Sequence, residues 1–174
     1  MPDTVYLDYA ATAPLHPAAA AAVLAGQSLI GNPSSAHSVG LDAAETLSVA
    51  RGSIALLLGV EADQVVLTSG GSESDTMALW GTFVPGRFSG HLVTTSIEHS
   101  AVLENARALS ELGVEVTVVQ PRATGRVDAG DIAAALRPHT ALVSVMHANN
   151  ETGAIQPIDE IAAITREAGV ALHV

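Results

Sequence analysis

The sequence predicts an α/β protein built on a mostly parallel sheet with helices on both faces. Three observations carry this. From Gln64 onward, short β-branched runs alternate with longer stretches of helical character, which is the rhythm of parallel strand–helix units. The first such run, Gln64–Thr68, leads through the small-residue turn T-S-G-G-S-E-S-D into an apolar, helix-tolerant stretch. The chain has 174 residues, 48% of them apolar, enough for one domain with a real core.

In chain order, Val5–Asp8 reads as a short extended piece, and Ala10–Pro17, with two prolines, as a loop. Together they give an N-terminal extended segment over residues 1–16, and residues 17–174 form the body of the domain. Pro17 suits the first position of a helix over Ala18–Gly26. After the irregular G-N-P-S-S-A-H segment (Gly31–His37), Leu41, Ala44, Leu47, Ala50, Ile54 and Leu58 recur at helical spacing. They predict a long helix, Val39–Leu58, ended by Gly59. Strands are then expected at Gln64–Thr68, His91–Thr95, Val114–Val119, Ala141–Met146 and from Val170 to Val174. The helices between them are Ser72–Val84, His99–Leu112, Ala129–Leu136 and Ile158–Ala168. No helix follows the last strand, so the domain is expected to be cut there rather than finished.

Composition excludes several classes of function. The net charge of −11 disfavours binding to nucleic acid or to an anionic membrane. Acidic Asp3 and Asp8 precede the apolar Ala18–Ala25, where a signal peptide needs basic residues, and no apolar run can span a bilayer. A cytoplasmic location is therefore expected. The chain has no cysteine, hence no disulfide, thiolate metal site or cysteine nucleophile of its own. It has no lysine either: its seven basic residues are all arginines. No H-E-x-x-H or other metal-ligand spacing occurs, so no metal site is expected, and Ser72 has no evident base partner for a hydrolase triad.

Ligands of open parallel sheets bind beyond the carboxyl ends of the strands. Three polar segments follow predicted strands: Thr68–Ser72, Ser96–His99 and His147–Gly153. Gly70 and Gly71 leave the N–H groups of a helix start unobstructed, and Ser72 adds a hydroxyl in the first turn. That combination suits a phosphate. It equally suits a plain cap, with Ser72 and Asp75 as the two ends of a capping box. His99 opens a helix, where the dipole disfavours an imidazolium; a neutral ring there can stack on a planar cofactor, exchange a proton, or merely cap the helix. His37 and His147 have weaker cases. Asn150 offers an amide to an oxyanion, or simply forms a turn with Asn149 and Gly153.

Five segments in order resemble the cysteine desulfurases of the NifS/IscS type: Tyr6–Pro14 (Y-L-D-Y-A-A-T-A-P), Gly31–His37, Thr68–Asp75, Glu98–Leu103 (E-H-S-A-V-L) and Val143–Ile158 (V-S-V-M-H-A-N-N-E-T-G-A-I-Q-P-I). These are class V aminotransferase enzymes of fold type I that use pyridoxal 5′-phosphate (PLP). The resemblance implies that residues 17–174 are the N-terminal part of the PLP-binding large domain, truncated at its C-terminal end. It implies that Gly71 and Ser72 hold the PLP phosphate, that His99 stacks on the pyridine ring and assists proton transfer, and that Asn150 bonds the phenolic oxygen.

The full enzyme would convert L-cysteine to L-alanine. It would pass sulfur as a persulfide to an acceptor protein, for iron–sulfur cluster or other sulfur-cofactor biosynthesis, and it would be a homodimer. The departures are equally specific. The Asp that pairs with the pyridine nitrogen directly follows an H-V like His173–Val174, where this chain stops. The lysine that carries the cofactor and the cysteine that accepts sulfur are absent, and Thr76 stands where relatives often have Asn. Two other readings stay open: another class V reaction, such as selenocysteine cleavage or epimerisation, and a non-catalytic domain that binds a phosphate ligand or a protein partner.

Overall fold

The computed structural model describes residues 5–174. It divides into two compact units, Met1–Leu67 and Thr68–Val174. Of the extended segment expected over residues 1–16, the first four lie outside the described residues, and 5–16 contain no helix or strand.

In the first unit, α1 (Pro17–Gly26) starts on its proline, with His16 as the N-cap. The helix α2 (Ser38–Leu58) ends at Gly59, whose φ of 69° is the left-handed conformation that glycine adopts at no steric cost. The Gly31–His37 segment folds back on the start of α2. A Cβ at Gly40 would collide with the Ser35 and Asn32 carbonyls, so this close approach requires glycine. The apolar row of α2 behaves differently from its helical spacing: Leu41, Leu58 and their neighbours stay exposed, and only Gly40 and Ala55 are buried.

The strand expected at Gln64–Thr68 is not formed. Ala62–Gln64 is instead a single 3-10 turn, closed by reciprocal bonds between Glu61 and Gln64. Val65 is extended, but its carbonyl accepts the Arg51 Nε–H at 3.2 Å rather than a ladder N–H. A β-branched run makes a strand only beside a partner, and none pairs with this one among the described residues.

The second unit holds the expected parallel sheet. Its strands are β1 (His91–Thr95), β2 (Glu115–Val119), β3 (Thr140–Ser144) and β4 (Ala171–His173), in the order β2-β1-β3-β4. Every pairing is parallel. The helices α3 (Gly71–Phe83), α4 (Ser100–Glu111), α5 (Ala129–Ala135) and α6 (Ile158–Ala168) lie within a residue or so of their expected bounds.

Alternate residues of the strands feed two cores. Leu92 and Leu142 pack with Leu79, Phe83, Val102 and Leu109 of α3 and α4. Val93 and Val143 pack with Ile132 and Ile161 of α5 and α6. Covering both faces buries β1 along its whole length. It also fixes where the strands end, and hence where the loops after them converge.

Candidate functional site

The loop Thr68–Gly70 delivers the chain into α3. Gly70, with extended backbone, is its N-cap and makes no side-chain cap bond. Among the described residues, the N–H groups of Gly71 and Ser72 and the Ser72 hydroxyl have no hydrogen-bond partner. A Cβ at Gly70 or Gly71 would meet nothing within 4 Å, so the space over this helix start is open. The capping box that was the alternative reading of Ser72 and Asp75 does not form. Glu73 does the capping, reaching back to the N–H and the hydroxyl of Ser69, both at 2.6 Å. These bonds lower the Glu73 pKa, the hydroxyl bond most. Asp75 turns elsewhere: Oδ1 lies 3.6 Å from Nε2 of His173, whose Nδ1 meets the Ser144 hydroxyl at 2.9 Å.

His99 is the N-cap of α4, and its Nδ1 accepts the Ala101 N–H at 3.1 Å. While that bond is made, Nδ1 carries no proton and the neutral ring bears its N–H at Nε2. His99 is thus a cap and more. It also lines a cavity of about 430 Å³ beyond the strand ends, together with Asn150, Ser96 and Thr152. Ser72 opens onto a neighbouring recess of about 380 Å³, shared with Thr76 and Ala101. Ser100 borders both spaces. Ser72, His99 and Asn150 therefore face two adjoining recesses at the carboxyl end of the sheet, and Gly71 lies at the helix start beside Ser72. Of the two weaker candidates, His37 caps α2 through Nδ1, and His147 lies apart, beside Gln156 and Asp159.

Two residues to which sequence reasoning gave no role at the site hold this arrangement together. Glu98 is 8% exposed. Its Oε1 accepts the Thr95 hydroxyl at 2.6 Å and the Met146 N–H at 3.0 Å, tying the end of β1 to the end of β3. Burial pushes the Glu98 pKa up, these two bonds oppose the shift, and the Asp75 charge adds to it. Asn149 donates from Nδ2 to the Ile97 carbonyl at 2.9 Å. Its Oδ1 accepts the N–H groups of Glu151 and Thr152 and the Thr152 hydroxyl. The loop that carries His99 and the loop that carries Asn150 are thus joined by one carboxyl and one amide. The available signals were an acidic residue directly before His99 and a second Asn directly before Asn150; the first is cryptic because a glutamate is rarely buried.

The chain matches the family Aminotransferase class-V over residues 5–174. It is 46% identical over 172 residues to cysteine desulfurase IscS of Anaeromyxobacter sp. (strain K), covering 97% of this chain and 43% of that protein. Among solved structures it is similar to SspA in complex with cysteine, with a TM-score of 0.92 and 37% identity, covering 98% of this chain and 50% of that one. DndA from Streptomyces lividans superposes with a TM-score of 0.82 at 39% identity, over 98% of this chain and 48% of its own. The chain spans less than half the length of the curated relatives it matches.

Proposed function

The chain belongs to the aminotransferase class V family, with the fold type I architecture of its cysteine desulfurase relatives, and from that premise we propose that it forms the N-terminal part of a PLP-dependent cysteine desulfurase. The proposed reaction of the whole protein converts L-cysteine to L-alanine and leaves sulfur as a protein-bound persulfide. That sulfur is for an acceptor protein in iron–sulfur cluster or other sulfur-cofactor assembly. The IscS relatives and the cysteine bound to SspA support this reading. The observation that carries it is the set of Gly71 N–H, Ser72 N–H and Ser72 hydroxyl, unpaired among the described residues, at a helix start beside the cavity of His99 and Asn150.

The residues present fit PLP. A phosphate dianion suits the free first-turn N–H groups with the helix dipole behind them, and the space around Gly71 is open to it. His99 would lie against the pyridine ring, and Asn150 would donate its amide to the phenolic oxygen. When bound, PLP supplies an electron sink for the bond changes at the amino acid's α and β carbons. The protein's part is to hold and to orient. With Nδ1 accepting the Ala101 N–H, the His99 ring has its Nε2–H to donate to the ligand. Glu98 and Asn149 keep the His99 and Asn150 loops in fixed relation, so that both side chains meet one ligand.

The test uses the protein expressed from its complete coding region, supplied with PLP, L-cysteine and a dithiol reductant that releases the persulfide sulfur as sulfide, with alanine and sulfide followed together. Equimolar alanine and sulfur release is expected. His99→Ala should leave the fold intact while shifting the cofactor absorbance and slowing turnover. An unmodified protein that forms no alanine, or a His99→Ala variant with ordinary turnover, overturns the assignment.

A further inference from the structure

Between the helix start that carries Ser72 and the one that carries His99 runs a closed set of hydrogen bonds centred on Asn105. From Nδ2, Asn105 donates to the Ala101 carbonyl at 2.7 Å on its own helix and to the Thr76 hydroxyl oxygen at 2.9 Å on α3. Its Oδ1 accepts the Trp80 Nε1–H at 2.6 Å, also from α3. The partners fix which end of the amide is which, because an indole N–H can only donate and a carbonyl can only accept.

The bonds continue to both site residues. The Thr76 hydroxyl donates to the Ser72 carbonyl at 2.7 Å. Ala101, whose carbonyl Asn105 holds, gives its N–H to Nδ1 of His99. One side chain therefore sits between the backbone of Ser72 and the imidazole of His99. Asn105 is half-buried, every polar atom of its side chain is used, and it borders the recess onto which Ser72 opens.

We propose that Asn105 is a positioning residue that sets the spacing between the Ser72 and His99 helix starts, and through it the fit of one ligand to both. The proposal rests on the PLP reading above. The apolar packing of Leu79 and Phe83 against Val102 and Leu109 holds α3 and α4 together. It does not by itself fix how far one helix slides along the other, because dispersion contacts are non-directional. The two directional bonds between the Asn105 amide and α3, to Thr76 and from Trp80, do fix it, while the third ties the amide to its own helix.

The test separates spacing from binding. The chain contains no cysteine, so Ser74→Cys and Glu104→Cys, both exposed positions, can carry a spin-label pair on α3 and α4. The distance distribution between the labels is expected to broaden in Asn105→Leu, and in Thr76→Val, which keeps the side-chain shape if the first variant folds poorly. In parallel, the PLP dissociation constant is expected to rise on the order of 3- to 10-fold in each variant, as the loss of about one neutral hydrogen bond implies. The double variant should lose little more than the worse single, since both substitutions break the same link.

An unchanged distance distribution overturns the proposal. So does a broadened one with unchanged PLP affinity, or fully additive losses. Unmodified chain that binds no PLP, with broadened distances in both variants, overturns the PLP reading and upholds the spacing role.

Discussion

Ser72→Ala is the most direct single-residue probe of the phosphate cradle. The Ser72 side chain is exposed, and its hydroxyl makes no bond to the described protein. The structural link at this residue runs through its carbonyl, which accepts the Thr76 hydroxyl and survives the substitution. The variant should therefore melt within about 0.5 kcal/mol of the parent, as surface substitutions do. Binding should respond differently. A hydroxyl donating to a phosphate dianion is a charge-assisted bond worth about 1.5–3 kcal/mol. Its loss should raise the PLP dissociation constant roughly 10- to 150-fold. Fluorescence or absorbance titration at fixed ionic strength reads this, with inorganic phosphate as competitor. Gly71→Val should bind more weakly still, because its side chain fills the approach to the free N–H groups. If Ser72→Ala binds PLP with unchanged affinity while folding normally, the cradle is elsewhere and the reasoning fails.

Glu98→Gln keeps the acceptor oxygen that Thr95 and Met146 use but removes the ionisable group. The folded pKa of Glu98 is raised, mainly by burial. The folded state therefore holds its proton more tightly than the unfolded chain does, and stability is lost as pH rises from the ordinary carboxylate value through the raised one. Denaturant melts across that window should show the loss in the parent and a flatter profile in Glu98→Gln. Asn149→Ala removes every hydrogen bond of that side chain and leaves loop N–H groups unpaired. It should cost about 2–3 kcal/mol in thermal or denaturant unfolding, whereas a loss within 0.5 kcal/mol would show that the two loops are not joined through it. With no lysine and no cysteine in its 174 residues, the isolated chain should form no alanine from L-cysteine above a free-PLP control. Borohydride should fix pyridoxyl, if anywhere, on the α-amino group of Met1; mass spectrometry of the digest checks this.

The alternation of strand and helix from His91 onward was legible because both faces of the sheet are covered, which leaves a periodic signature along the whole segment. Gln64–Thr68 carried the same β-branched signal without a pairing partner, and no local pattern shows whether a partner exists. The apolar spacing of α2 likewise announced a helix but not what covers it; Leu56 and Leu57 are each 85% exposed. Near the site, the small-residue turn and the helix-opening histidine were readable because each has a local backbone meaning. The Ser72–Asp75 capping box, the alternative reading of that turn, does not form because two other partners outcompete it. Glu73 reaches Ser69 from within the same turn, and Asp75 is drawn to His173, distant in sequence. The roles of Glu98 and Asn105 were hidden for that second reason, whereas the turn at Asn149 and Gly153 was legible and forms, with the Gly153 N–H on the Asn149 carbonyl at 2.8 Å. Glu98 and Asn105 each act through a partner on another element, as in the Glu98–Met146 and Asn105–Trp80 bonds, and long-range pairing leaves no mark at fixed spacing.

The central claim, that the two adjoining recesses form one PLP site, is tested most directly by following the chain's nuclear magnetic resonances as PLP is added. The backbone N–H signals of Gly71 and Ser72, the His99 ring and the Asn150 side-chain amide are expected to shift together. They should share one dissociation constant, and inorganic phosphate should reproduce only the Gly71 and Ser72 part. Shifts confined to the N-terminal amine, or a phosphate response at another helix start with Gly71 and Ser72 unmoved, would contradict it.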